Sequence, residues 1–120
     1  MNIAEQIGNF IEDNTTYKKG VDLFLNYLPE DVKKGLVVRF ISSYGKKKLK
    51  TADIAIYYID KDWALGNRLI RELRELMVTH RGLSGTGWSV FDDVEIGNEG
   101  LDELRRQVTS LNFKVGFVEE

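Results

Sequence analysis

The chain has 120 residues, 42% of them apolar and 30% charged, with a formal net charge of −2. That length holds one domain with a modest core, and the slight acidity predicts no bulk attraction to nucleic acid or to anionic membranes, so any such contact must be local. The absence of cysteine excludes a disulfide framework, a thiolate nucleophile and a cysteine-based zinc site.

The first residues, Met-Asn-Ile-Ala-Glu-Gln, put no basic segment ahead of an apolar run, so no secretion signal is expected there. No apolar stretch approaches the roughly 20 residues that span a bilayer. The expectation is a single domain over residues 1–120, soluble, made inside the cell and without a membrane partner. No repeat, low-complexity segment or disordered tail is expected.

Ile3, Ile7, Phe10 and Ile11 recur at helical spacing and predict a short amphipathic helix from about Asn2 to Glu12, with Glu5 near the positive end of its dipole. Asp13-Asn14-Thr15-Thr16 ends it. A strand is expected over Val21 to Leu28, with Leu23, Leu25 and Tyr27 on one face and Phe24 and Leu28 on the other. Pro29 stops its ladder because proline offers no N–H. After a polar turn (Glu30 to Gly35), Leu36 to Ile41 is rich in β-branched residues and reads as the second strand. Ser42 to Thr51 connects it to the third.

The stretch from Ala52 to His80 organises the rest. Ile54, Ile56 and Tyr58 share one face of a strand, Ala55, Tyr57 and Ile59 the other, as expected of a central strand covered on both sides. It leads through Asp60-Lys61-Asp62 into a helix from Asp62 to Thr79, with Leu69, Ile70, Leu73, Leu76 and Met77 in one stripe. At about 1.5 Å per residue the helix is roughly 27 Å long, enough to cross about five strands. His80 and Arg81 occupy its last turn, His80 as a surface residue, and Gly82 is expected as a left-handed cap.

Gly87 to Asp93 is read as a strand with Trp88 and Val90 on one face. Val94 to Arg106, broken by Gly97 and Gly100, is irregular, with a single helical turn at Leu101 to Leu104. The last strand, Val108 to Val118, alternates Leu111, Phe113, Val115 and Phe117 with Ser110, Asn112, Lys114 and Gly116. The order α-β-β-β-α-β-β predicts an α+β fold: a mixed, mostly antiparallel sheet of about five strands with one long and one short helix packed on it. Hairpins are the economical connection for the first three strands and for the last two.

Signals for chemistry are sparse. The run Gly82-Leu83-Ser84-Gly85-Thr86-Gly87 follows a helix and precedes a strand, the reverse of a phosphate loop, so a cap and turn account for it. Asp92, Asp93 and Glu95 read as a solvated acidic cluster rather than an acid/base pair. His80 has no serine, cysteine or second histidine at ligand spacing. No catalytic residue, metal site or cofactor site is expected, and a small hydrolase or metal enzyme is the weakest reading. The one local charge excess, Lys46, Lys47, Lys48 and Lys50, reads as a solvated hairpin tip or a basic loop facing an anion such as DNA. Phe24, Phe40, Tyr44, Trp63, Trp88 and Phe91 have no obvious home within the chain and are candidate subunit-interface residues.

Three segments together resemble the tail terminator (tail-completion) proteins of long-tailed bacteriophages, some of which are described as minor capsid proteins. They are Asp22-Leu23-Phe24-Leu25-Asn26-Tyr27-Leu28-Pro29 followed by Gly35-Leu36-Val37-Val38-Arg39, then Thr51 to Trp63, then Asp102 to Phe117. With the N-terminal helix they cover most of the chain in the family's order. Where relatives often have a Gly-Gly-like turn after the second strand, this chain has Ser43-Tyr44-Gly45 followed by lysines. The resemblance implies a structural virion protein without an active site. It implies a ring, commonly a hexamer, that caps the finished tail tube at the neck, halts its polymerisation and offers the head-tail joining surface. The implied partners are copies of itself, the tail tube protein, the head-tail connector protein and DNA passing through the lumen without sequence recognition. The implied place of synthesis is the host bacterial cytoplasm. Lys46, Lys47, Lys48 and Lys50 would then face the lumen or an adjoining ring. The competing reading is a small α+β module that binds nucleic acid through the Lys46–Lys50 loop, against which the overall acidity and the lack of a stacking platform count.

Overall fold

A computed structural model describes residues 2–45, 48–80 and 87–119, the side chain of Asp92 excepted. The elements are α1 (Ile3–Asn14), β1 (Leu23–Leu25), β2 (Gly35–Tyr44), β3 (Leu49–Asp60), α2 (Trp63–Val78), β4 (Trp88–Leu101) and β5 (Gln107–Val118). The five strands form one mixed, mostly antiparallel sheet in the order β1-β2-β3-β5-β4. The α+β class and the element order are those expected from the sequence. Lys46, Lys47, Arg81, the Gly82 cap and the Leu83–Thr86 turn lie outside the described residues.

Both helices begin on side-chain caps. Asn2 accepts from the Glu5 N–H at 3.1 Å, and Asp62 accepts from the Leu65 N–H at 3.0 Å, each answering a donor the first turn leaves unpaired. Helix α1 runs on to Asn14, past the expected end at Glu12; Asn14 and Thr15 side chains donate to the carbonyls of Phe10 and Ile11. The apolar stripes of both helices enter one core: Ile3, Ile7 and Ile11 from α1, and Ile70, Leu73 and Met77 from α2. The sheet supplies Leu36, Val38, Ile54, Ile56, Leu111 and Val115.

Helix α2 packs on β3, β5 and β4, and α1 covers β1 and β2, so the sheet is roofed by two helices rather than by one crossing all five strands. Gly66 permits the closest approach of α2: a Cβ there would lie 3.2 Å from Thr109 Oγ1 and 3.4 Å from the Tyr58 ring.

All the helix-facing residues of β3 (Ala52, Ile54, Ile56, Tyr58) belong to this core, whereas Ala55, Tyr57 and Ile59 on its other face do not. The expectation of a twice-covered central strand is therefore corrected. β3 is central, but both helices lie on one side, and Ala55 is hidden on the other because alanine is short between flanking strands.

The first connection is also corrected. β1 pairs with β2 in parallel, Leu23 with Leu36 and Leu25 with Val38. The strand ends well before Pro29, because Asn26 turns left-handed (φ 74°) and gives its N–H to the Val38 carbonyl at 2.8 Å. Val21, the first residue of the strand expected over Val21 to Leu28, and Tyr27, its last but one, are exposed. Parallel pairing ordinarily needs a longer crossover, but β1 covers only about 10 Å at roughly 3.3 Å per residue, so the loop between Leu25 and Gly35 can retrace it. Pro29 instead opens a turn within that loop, its carbonyl accepting from the Val32 N–H at 3.0 Å.

Strand β4 continues through the segment expected to be irregular. Its register shifts between Phe91 and Glu95 and again between Asn98 and Gly100, and neither Gly97, paired in register with Ser110, nor Gly100, at the second shift, ends the strand. The turn after it is not helical. Asp102 holds it, accepting from the N–H groups of Leu104 and Arg106 and from the Arg106 guanidinium at 2.7 Å. Arg106 also donates to the Val32 carbonyl at 3.0 Å, tying this hairpin to the β1–β2 loop.

Candidate functional site

Strand alternation and register place Tyr44, Asp53, Lys114, Phe91, Glu95 and Ser110 on the face of the sheet opposite the helices. Two polar groups are fixed there. Lys114 Nζ lies 3.1 Å from Asp53 Oδ1 and donates to Tyr44 Oη at 3.1 Å, while Ser42 Oγ donates to the other oxygen of Asp53 at 3.1 Å. The bonds to Tyr44 and Asp53 push the Lys114 pKa up. The ion pair joins β3 to β5, and its hydrogen bonds with Tyr44 and Ser42 extend it to β2.

In the second group Ser110, fully buried, donates to Glu99 Oε1 at 2.8 Å and accepts from Asn112 Nδ2 at 3.0 Å. Gly97, opposite Ser110, leaves the room this needs: a Cβ there would stand 2.6 Å from Ser110 Oγ. The sequence signal for the group was only the polar alternation of the last strand, which reads as a solvated face; Gly97 reads as a break in β4.

Between these groups lies a shallow open depression of about 400 Å³, lined by Ile41, Asp53, Asp93, Glu95, Asn112 and Lys114. Asp93 and Glu95 therefore do sit together, on β4. The side chain of Asp92 lies outside the described residues. Among the described residues no group of three or more His, Asp or Glu side chains is arranged to hold a metal ion.

His80 is not a surface residue. It is buried, because Val90 N–H donates to its carbonyl at 2.8 Å and draws the end of α2 onto β4. Its ring stacks on Trp88 with centroids 3.8 Å apart and meets Phe10 at 4.6 Å, and Nε2 lies 3.1 Å from the Trp88 carbonyl oxygen. Burial pushes its pKa down, opposed in part by the bond to Trp88.

The six candidate interface aromatics part company. Trp88 is 1% exposed and belongs to the core, set edge-on to Phe10; it is withdrawn as an interface residue. Phe24 is half-buried on β1. Phe40, Tyr44, Trp63 and Phe91 remain exposed, at 38%, 50%, 52% and 40%. Tyr44 and Phe91 share the open face with the exposed cross-strand pair Leu49 and Val118, all near the β2–β3 hairpin tip.

Of the lysine loop, Lys48 and Lys50 are described. Lys50 Nζ donates to the Gly45 carbonyl at 3.2 Å, and the Lys48 carbonyl accepts from the Glu119 N–H at 2.7 Å, so the tip is fastened to the end of β5. Gly45 is required there: its φ is +133° and a Cβ would stand 2.5 Å from the Leu49 carbonyl.

No helix among the described residues is long and apolar enough to cross a membrane. No protein-family model matches the chain, and no curated protein matches it either.

Proposed function

We propose that this protein is a structural component of a bacteriophage virion. It caps the completed tail tube as a ring of identical subunits, commonly six, stops tube polymerisation and presents the head-tail joining surface. Its role is mechanical rather than catalytic. Its partners are its own copies, the tail tube protein and the head-tail connector protein, with DNA passing through the lumen unread. It is made in the host bacterial cytoplasm and ends at the neck of the virion.

The observation that supports this reading is the apolar surplus. Phe40, Tyr44, Trp63 and Phe91 stay exposed after the chain has folded, joined by Leu49 and Val118, and exposed aromatics are what a subunit contact would cover. Lys114 with Asp53, and Ser110 with Glu99, are meanwhile engaged with each other on the open face.

Electron microscopy of tails assembled without this protein tests the reading. Overlong or ragged tubes that fail to join capsids are expected; tubes of normal length, joined to heads, would refute it.

A further inference from the structure

The sheet is open on both sides. β4, its outermost strand at one side, pairs only with β5 among the described residues. At the other side β1 pairs with β2 only as far as Val38, so from Arg39 to Tyr44 β2 is paired with β3 on its inner edge and has no strand on its outer edge among the described residues. An unpaired strand edge is a template for another chain. Three further features say which chain.

The first is direction. β2 is antiparallel to β3, β3 to β5 and β5 to β4, so β2 and β4 run in opposite senses. If the next copy is set beside the first in the same orientation, its β4 meets β2 as an antiparallel neighbour, the more stable pairing.

The second is charge. Keeping the helices of both copies on one side of the extended sheet places Arg39 on the same face as Glu95 and Glu99 of the neighbour, because Arg39 pairs with Ala55, Glu95 pairs with Asn112 and Glu99 accepts from Ser110. Arg39 and Glu95 are exposed and have no ion-pair partner among the described residues. Joining β4 to β4, or β2 to β2, would instead bring like charges together.

The third is apolar surface. On the helix side the same alternation puts Phe40 (38% exposed) and Ile96 (41% exposed) at the two meeting edges. Ile96 lines a groove of about 670 Å³ between β4 and α2, with Val94 and Arg74.

We infer that the free stretch of β2 in one copy pairs with the β4 edge of the next, head to tail, with Phe40 against Ile96 on one side and Arg39 toward Glu95 and Glu99 on the other. Such a contact is heterologous, so it propagates from copy to copy instead of stopping at a dimer, and a rotation that closes makes it the ring proposed above. The inference rests on the ring proposed above and specifies its seam.

The chain has no cysteine, which makes crosslinking a clean test. Phe40→Cys, Ile96→Cys and the double variant are treated with a short bismaleimide after circular dichroism has verified the native fold. The double variant is expected to give a ladder of multimers up to the closed ring. A mixture of the two single variants is expected to give dimers, and each single variant alone only monomers. Dimers from either single variant would overturn the inference in favour of a two-fold seam. A multimer seen by light scattering that yields no Phe40–Ile96 crosslink would overturn the seam and leave the ring standing. A protein that stays monomeric by light scattering, free and on isolated tubes, would refute both.

Discussion

Protonating His80 would place a positive charge between Phe10 and Trp88 in the core, and the protein resists it. The His80 pKa is lowered from 6.5 by burial, so at acidic pH the unfolded chain binds a proton that the folded chain refuses. The stability this group contributes is complete above pH 6.5 and falls away as pH drops through its folded-state value. Denaturation followed by tryptophan fluorescence should show stability falling from pH 7 to pH 5, with a shallower fall in His80→Gln; an unchanged slope would deny the assignment. Ser110 makes a comparable case for close packing. Gly97→Ala drives a methyl group to within 2.6 Å of Ser110 Oγ, and the displaced hydrogen bond and strain should cost about 1–3 kcal/mol. Ser110→Gly in the same chain should recover part of that loss, a coupling that a double-mutant cycle in urea would measure.

The turn between β4 and β5 depends on one carboxylate. Asp102 is partly buried, which opposes ionisation, but the N–H groups of Arg106 and Leu104 and the Arg106 guanidinium hold its pKa below the usual value. Asp102→Ala should destabilise the fold by about 1.5–3 kcal/mol and free Arg106 from the β1–β2 loop. The contribution is present above pH 3.8 and lost as pH falls through the lowered value.

This turn also marks the limit of what the sequence discloses. Both helices and the alternation of Leu111 to Phe117 follow from spacing, because one-sided burial writes a period into the chain. Hence the order of elements was legible. The parallel pairing of β1 was not, because three residues carry too little pattern to set a direction and the left-handed Asn26 that ends the strand leaves no periodic trace. β4 was ended at Asp93 because a glycine that a strand accommodates, as β4 does Gly97 paired with Ser110, and one that ends a strand look alike in sequence. His80 and Trp88 were misplaced for one reason: each is buried by the other, and that contact between the end of α2 and the start of β4 leaves no mark in the spacing of the sequence. Of the surface proposed for assembly, the aromatics were visible in advance. Arg39 and the two sheet edges became visible only with the strand order.

The whole molecule is longer than it is wide, 42 × 25 × 24 Å, with helices on one broad face, the polar pairs with Tyr44 and Phe91 on the other, and among the described residues an unpaired backbone edge at each side. A chain built this way has its core complete and its sheet incomplete. If copies complete the sheet, Arg39→Glu should weaken subunit association by about tenfold, equivalent to ~1.4 kcal/mol, and Glu95→Arg with Glu99→Arg in the same chain should restore it. Sedimentation velocity of the unmodified protein across a wide concentration range tests the account most directly. It predicts that the monomer gives way to one larger species of fixed size, a closed multiple of the 13.8 kDa chain. A monomer at every concentration, or a dimer that grows no further, would contradict it.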